Sequence, residues 1–259
     1  MRTVRAARYV TPLREGGSLP AIVEGDDDGL YVAKFRGAGQ GAKALVAEVI
    51  AGELARAAGL AVPELVALEL DPALGRNEPD YEIRMLLKAS AGVNLGVDYL
   101  PGSVTFDPLV GPAPDAALAS LVVALDAWVA NVDRTARNTN LLLWHRRLWV
   151  IDHGAALGFH HAWDAARDTA RAPFPLVKDH VLLPWAAALP AAVAALRARA
   201  PRAVIEAAVT AVPDAWLSAE APFPEPRAQR AAYVAHLTRR LEASDLWLEE
   251  AERARAALV

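Results

Sequence analysis

The sequence contains no cysteine, only four lysines and no excess of basic residues. The absence of cysteine excludes disulfides, thiol catalysis and thiolate metal sites. It also fits a reducing compartment, so we expect a cytoplasmic protein. The formal net charge of −4 leaves no surplus cations to neutralise phosphates, and direct binding to nucleic acid is not expected.

Long hydrophobic runs are missing as well. The most apolar segments cover 118–130 and 183–196, which is shorter than the roughly 20 residues that a bilayer-spanning helix needs. The first segment also contains Asp126, and the second contains two prolines. The N-terminal arginines are not followed by an apolar run, so they do not resemble a signal peptide. We therefore expect no membrane span.

Hydrophobic patterning predicts an α+β fold with a small β-rich N-lobe, 1–102, and a larger, mainly helical C-lobe, 103–259. Short apolar runs around glycine-rich and acidic turns predict a small antiparallel sheet at the start of the chain. One prominent helix is expected near 42–58. Residues 103–114 contain four prolines or glycines and mark the boundary between the lobes. Further helices are expected from about 184 to the end.

The segment 131–154 reads NVDRTARNTNLLLWHRRLWVIDHG. If its two apolar runs pair as a hairpin that turns at HRR, Asn138 and Asn140 come close to Asp152, because paired strands lie about 5 Å apart. Mg²⁺ takes few protein oxygens and completes its shell with water and phosphate, so these side chains could hold it. Asp133 could then accept a proton from a nucleophilic hydroxyl, or orient it. The alternative is a plain hairpin whose polar residues cap turns.

Lys34 lies in the apolar run YVAKF, where a buried ammonium is costly unless it is paired. Glu48 on the following helix could be its partner, and Glu53 lies five residues further along the same helix. Alternatively, Lys34 extends into solvent from an edge strand. Upstream, the segment REGGS could cover phosphates with its backbone N–H groups, although Gly-Gly turns are also common elsewhere.

Two further segments contain candidate site residues. GVDYLPGS could connect two lobes and offer backbone hydrogen bonds to an adenine, or it could be a simple strand exit. His160 and His161 are adjacent, which suits neither a helix-face nor a strand-face metal pair. We expect them in an activation segment or at the surface.

The order of these features along the chain is that of a kinase. VAKF looks like the strand-lysine motif of that family, and DRTARN with IDHG is similar to its catalytic loop and metal-binding Asp. An Arg that follows the catalytic Asp is typical of the phosphatidylinositol kinase and HipA-like branches. Over about residues 10–160 the sequence resembles the HipA-like kinases.

The resemblance implies a bilobal protein-kinase-like fold that uses ATP and Mg²⁺. Asp133 would be the catalytic residue, and Asn138 and Asp152 would be the metal ligands. The residues implied in ATP binding are Lys34 on the phosphates, Glu48 orienting it, Gly16, Gly17 and Ser18 over the phosphates, and Asp98, Tyr99 and Leu100 in the hinge.

The implied activity is transfer of the γ-phosphate to a hydroxyl of a protein or a small molecule. A nucleotide-binding pseudokinase that serves as a partner-binding module, and AMP transfer on the same fold, are the alternatives. The sequence departs from the kinase pattern at His153, where many kinases have Phe, and in a glycine loop without the full G-x-G-x-x-G. It also starts without the long N-terminal subdomain of full-length HipA toxins, which weakens the expectation of a toxin role.

Overall fold

The N-terminal strands close into a barrel in the structure, a computed structural model that describes residues 1–13, 19–39, 41–76, 78–110, 113–163, 168–217 and 222–258. The barrel order is β1-β2-β3-β5-β4. Its strands are β1 (Thr3–Pro12), β2 (Ala21–Gly25), β3 (Leu30–Lys34), β4 (Leu65–Leu70) and β5 (Gly92–Asp98). The expected antiparallel pairings are present, and one parallel pairing, of β1 with β4, was not expected. This parallel pairing closes the sheet into a barrel.

Alternation along the strands fills the barrel with small and aromatic side chains. Ala21, Val23, Tyr31 and Ala33 are buried inside it. Gly96 allows β4 and β5 to approach, since a Cβ at this position would lie 2.7 Å from Val66 Cγ2. The barrel therefore has a small hydrophobic core of its own.

Lys34 points away from the barrel interior, because it follows buried Ala33 on the same strand. Val32 lies on the same outer face as Lys34 and packs against the larger core of the protein. Strand β3 pairs with β2 on one side and β5 on the other. The idea that Lys34 extends from an edge strand is therefore wrong.

Two helices accompany the barrel. α1 (Gly41–Ala57) is the expected prominent helix, and its residues from Leu45 to Ala55 are buried almost all round. α2 (Tyr81–Ala89) begins after Asp80, whose carboxylate accepts the N–H of Glu82. Ile83 of α2 packs into the barrel core, whereas α1 belongs to the larger core.

The C-terminal half is mainly helical. Its helices are α3 (Ala116–Val129), α4 (Leu189–Arg199), α5 (Arg202–Thr210), α6 (Pro226–Glu242) and α7 (Ser244–Ala256). A three-stranded sheet is formed by β6 (Val104–Thr105), which precedes α3 in the sequence, and by β7 (Leu141–Trp144) and β8 (Arg147–Val150), which follow α3. The large core contains Trp128, Tyr233 and Trp247. The expected α+β class is thus confirmed.

The N-terminal and C-terminal halves contact each other, and the predicted boundary segment between them contains a strand. Residues 104–105, which we placed in a boundary segment, pair with β7. In the other direction, Trp216 Nε1 donates to Val93 O in β5 at 2.8 Å, and Arg199 donates to Ala58 O just after α1. The division at residues 102 and 103 stays a prediction. Within the described residues, no helix is long and apolar enough to cross a membrane.

Candidate functional site

Lys34 joins three distant parts of the chain. Its Nζ lies 2.8 Å from Glu48 Oε2 on α1 and 2.8 Å from Asp152 Oδ1 after β8, a residue 118 positions away. The side chain of Glu48 is 3% exposed and that of Asp152 is 47% exposed. Glu53, the alternative partner, pairs with Arg56 instead. The cluster therefore has one buried and one solvent-facing carboxylate around a single ammonium.

The buried pair is held in its charged form. Burial by itself raises the pKa of Glu48, but the charge of Lys34 and the His153 side chain, whose Nδ1 lies 3.7 Å from Glu48 Oε1, bring it well below its ordinary value. Burial likewise lowers the pKa of Lys34, and the charges of Glu48 and Asp152 outweigh that effect and raise it. A carboxylate–ammonium pair therefore persists at neutral pH.

Asp133 is tied to two asparagines of its own loop. Its Oδ2 accepts a hydrogen bond from Asn138 Nδ2 at 2.7 Å and one from Asn140 Nδ2 at 3.3 Å. The N–H of Asp133 donates to Asn131 Oδ1 at 3.2 Å. Because Asn138 uses its amide nitrogen here, its amide oxygen remains the atom that could bind a metal. The loop thus holds the Asp133 carboxylate in one orientation.

The predicted β7–β8 hairpin is present, but its turn is one residue shorter than the expected HRR, because Arg147 belongs to β8 and pairs with Trp144. Leu141 pairs with Val150, and the turn consists of His145 and Arg146, both with positive φ as in a type I′ turn. Asn140 and Asp152, which flank the hairpin, have φ values of 48° and 54°. Asn and Asp tolerate this left-handed conformation better than most residues. Ile151 N–H donates to Asn140 O at 3.1 Å, so the loop meets the residue before Asp152.

Behind this loop lies a buried polar cluster that was not predicted from the sequence. Arg134 Nε donates to Asp126 Oδ2, both side chains have zero exposure, and His180 Nε2 lies 3.0 Å from the same oxygen. Burial raises the pKa of Asp126, but Arg134 and His180 outweigh it and lower the pKa below its ordinary value. An Asp inside an otherwise apolar helix was the available signal, because a buried charge requires a partner.

The hinge residues occupy the end of β5 and the turn after it. Asp98 N–H donates to Glu64 O at 2.8 Å and Tyr99 N–H donates to Leu30 O at 2.9 Å. Burial raises the pKa of the Asp98 carboxyl. Leu100 is 4% exposed. Two of the three backbone donors that we expected to face an adenine are therefore already used within the protein.

The remaining sequence predictions concern the glycine loop and three histidines. Gly16, Gly17 and Ser18 lie outside the described residues. His153 is buried with its N–H on Glu48, so it links α1 to the segment that follows Asp152. His160 has zero exposure, and its Nδ1 lies 2.9 Å from the Tyr233 hydroxyl. A surface location is therefore wrong for His160, while His161 is exposed.

The oxygen donors suit a hard cation. Throughout the described ranges, no group of three or more His, Cys, Asp or Glu side chains is arranged to hold a metal. Mg²⁺ at a nucleotide site needs fewer protein ligands, because phosphates and water complete its octahedron. Asp152 uses Oδ1 on Lys34, which leaves Oδ2, and Asn138 offers its amide oxygen. One carboxylate and one amide oxygen fit Mg²⁺ bound together with a nucleotide.

Known proteins resemble this chain in fold and in family. None of the curated proteins compared gives a match. The crystal structure of a Helicobacter pylori proinflammatory kinase, CtkA, resembles this one with a TM-score of 0.56 over 99% of both chains and 11% sequence identity, which concerns the fold alone. A family model described as HipA-like kinase matches residues 7–250. Because that match covers nearly the whole sequence, the chain belongs to the HipA-like kinase family.

Proposed function

We propose that the protein is a Mg-ATP-dependent kinase with the bilobal arrangement of protein kinases, which transfers the γ-phosphoryl group of ATP to a hydroxyl. The observation that carries this proposal is the position of Lys34, whose ammonium contacts both the buried Glu48 and the exposed Asp152. Kinase catalysis requires a strand lysine held by a helix glutamate beside a metal-binding aspartate. Family membership supports a phosphotransferase in general.

In this proposal Glu48 keeps Lys34 fixed, and Lys34 contacts the phosphates of the nucleotide. Asp152 Oδ2 and the amide oxygen of Asn138 would hold Mg²⁺. When bound, the ion would neutralise the negative charge of the phosphates. Because Lys34 Nζ contacts Asp152 Oδ1, phosphate binding would have to share the ammonium between the phosphates and this carboxylate. The half-exposed carboxylate of Asp152 permits that rearrangement.

Asp133 would act on the acceptor. Its carboxylate would accept the hydroxyl proton as the acceptor oxygen bonds to the γ-phosphorus and the bond to the β–γ bridging oxygen breaks, releasing ADP. The amides of Asn138 and Asn140 orient this carboxylate. Of the two carboxylate oxygens they donate only to Oδ2, so Oδ1 of Asp133 is the oxygen proposed to face the acceptor.

The hinge contributes less to adenine recognition than its three residues suggested. Since the N–H groups of Asp98 and Tyr99 are engaged by Glu64 and Leu30, the donor to adenine in this proposal is the N–H of Leu100. The carbonyl oxygens of Asp98 and Tyr99 remain candidate acceptors for the adenine amino group. Gly16, Gly17 and Ser18 keep their proposed place over the phosphates.

The acceptor hydroxyl, on a protein or a small molecule, and the cytoplasmic location remain predictions. Incubation of cell extract and of small hydroxyl compounds with Mg²⁺ and ATP labelled at either the γ- or the α-phosphate tests the proposal. Transfer of γ-label that is lost in Asp152→Asn and kept in Glu53→Gln supports it. Transfer of α-label would instead indicate AMP transfer. Tight Mg-ATP binding without any transfer would indicate a pseudokinase, and absence of Mg-ATP binding would refute a nucleotide site.

A further inference from the structure

Arg134 connects the segments that carry the two proposed functional aspartates. It directly follows Asp133, and its Nη1 donates to Asn140 O and to Ile151 O, the latter at 3.0 Å. Ile151 directly precedes Asp152. A single buried guanidinium therefore contacts the end of the Asp133 loop and the last residue before Asp152.

The guanidinium is itself held by an acidic side chain of α3. Asp126 on α3 accepts a hydrogen bond from Arg134 Nε at Oδ2 and one from Arg134 Nη2 at Oδ1, the second at 3.5 Å. Its Oδ1 also accepts one from Asn131 Nδ2 at 3.1 Å. His180 adds a hydrogen bond to Oδ2 at 3.0 Å. Leu182 N–H donates to His180 Nδ1, so Nδ1 is an acceptor and Nε2 carries the proton that points at Asp126. Burial lowers the pKa of His180, which keeps its imidazole neutral.

The segment after residue 179 is joined to the same loop. Val181 N–H donates to Arg134 O at 3.0 Å, and Thr135 forms an isolated antiparallel bridge with His180. Helix α3, the Asp133 loop and the exit of β8 therefore meet at the Arg134 side chain, and residues 180–182 are joined to its backbone and to Asp126. Lysine could not replace Arg134, because an ammonium lacks the planar fork that reaches these oxygens together.

We infer that Arg134, held by Asp126 and His180, is a positioning residue that sets the placement of the Asp133 carboxylate relative to that of Asp152. This inference rests on the proposed function. Phosphoryl transfer depends almost entirely on positioning and electrostatics, with little covalent chemistry for the protein. A guanidinium that fixes both loops acts on positioning without touching the nucleotide or the acceptor.

Arg134→Lys tests the inference, and Arg240→Lys is its matched control. Arg240 is also buried, at 3% exposure, and it donates to the carbonyl oxygens of Trp128, Ala127 and Ala172, none of which lies in either aspartate loop. For Arg134→Lys we expect kcat for ADP formation, per folded molecule, to fall by about 10²-fold, the cost of roughly 1 Å of misplacement. Its Kd for Mg-ATP should stay within about twofold, because the effect is on the rate and not on uniform binding. Arg240→Lys should keep its kcat.

A second pair of variants separates positioning from folding. His180→Leu removes the donor to Asp126 and should lower kcat at least about tenfold, whereas His180→Gln restores an N–H near the same place and should recover most of it. If Arg134→Lys does not fold, this pair decides the question. A purely structural role would lower stability in both variants and leave kcat per folded molecule unchanged.

Three results would overturn the inference. With active wild-type protein, it is wrong if Arg134→Lys keeps the wild-type kcat, if Arg240→Lys loses as much kcat, or if His180→Leu and His180→Gln have equal rates. In these cases the proposed function stands. Wild-type protein that neither binds Mg-ATP nor forms ADP would refute the proposed function, and the inference with it.

Discussion

Neutralising each of the two carboxylates that contact Lys34 should have a different effect. The Glu48 variant should lose stability, and the Asp152 variant should lose metal binding. Glu48→Gln removes a charge from a site that is 3% exposed, and Asp152→Asn removes one from a site that is 47% exposed. Both carboxylates lie at the same 2.8 Å from the ammonium. Burial is therefore the main difference between the two ion pairs.

The expected magnitudes follow from that difference. Breaking a buried pair typically costs 3–5 kcal/mol, and we take about 3 kcal/mol for Glu48→Gln because Asp152 still neutralises Lys34. An exposed pair contributes at most about 1 kcal/mol, so Asp152→Asn should barely change the free energy of unfolding. At about 2–4 °C per kcal/mol for a protein of this size, Glu48→Gln should lower Tm by about 6–12 °C.

Nucleotide binding should show the opposite order. If Asp152 is a metal ligand, ATP affinity in Asp152→Asn loses its dependence on Mg²⁺, whereas wild type and Glu48→Gln still bind ATP more tightly with Mg²⁺ than with a chelator. Thermal and urea unfolding of the nucleotide-free proteins, followed by calorimetric titrations with and without Mg²⁺, measure both quantities. Glu53→Gln, on the same helix and paired with Arg56, is the control and should match wild type in both.

Two results would refute this reasoning. If Asp152→Asn lowers the free energy of unfolding as much as Glu48→Gln does, burial does not decide the contribution of each pair. If Asp152→Asn keeps a Mg²⁺-dependent ATP affinity, Asp152 is not a ligand, and the metal site has to be sought elsewhere.

The remaining predictions concern catalysis, pH and modification. Asp133→Asn should keep Mg-ATP affinity in calorimetry and lower turnover by about 10²–10⁴-fold, since an amide cannot take the hydroxyl proton; unchanged turnover would refute its role. Burial lowers the pKa of His160 to about 3 and that of His236 to about 4. Because both folded pKa values lie below the ordinary 6.5, the stability they contribute is complete above about pH 6.5 and is lost as pH falls towards 4. His236→Phe keeps a ring on Phe159 and should flatten that loss in urea titrations from pH 7.5 to 4.5, whereas an unchanged slope would contradict the assignment. Ser18 should become phosphorylated in Mg-ATP and inhibit the enzyme through its added charge of about −1.5 to −2, and mass spectrometry that finds it unmodified during turnover would exclude this.

The elements were predictable where a local pattern decides the structure. The β7–β8 hairpin and the helix near 42–58 both follow from periodicity within a few residues. The closure of the barrel was not predictable, because the parallel contact of Thr3 with Ala67 joins strands that local patterning treats separately. The burial of α1 on nearly all sides depends on helices at the other end of the sequence, so an amphipathic pattern was neither present nor needed.

In the candidate site, too, the residues whose spacing is set locally were predictable and those that depend on distant contacts were not. Asp133, Asn138 and Asp152 are at least partly exposed, and they are recognisable because their spacing is set by one loop and one hairpin. Their supports are buried and come from separate segments, as in the pair of Asp126 with His180, 54 residues apart. Sequence spacing carries no trace of such a contact. Only the cost of burying Asp126 in an apolar helix indicated it, and that cost calls for a cation without naming which one.

In the proposed function, the unequal burial of Glu48 and Asp152 has a mechanistic consequence. A carboxylate that must exchange Lys34 for Mg²⁺ and phosphate needs access to solvent, and Asp152 has it. A carboxylate that must hold Lys34 during the exchange should be desolvated and doubly bonded, as Glu48 is by the ammonium and by His153 N–H. If the two environments were reversed, Lys34 would remain on a buried Asp152 and would be unavailable to the phosphates. In the proposed function, the unequal burial of the two partners would therefore allow one lysine both to stabilise the fold and to contact the nucleotide.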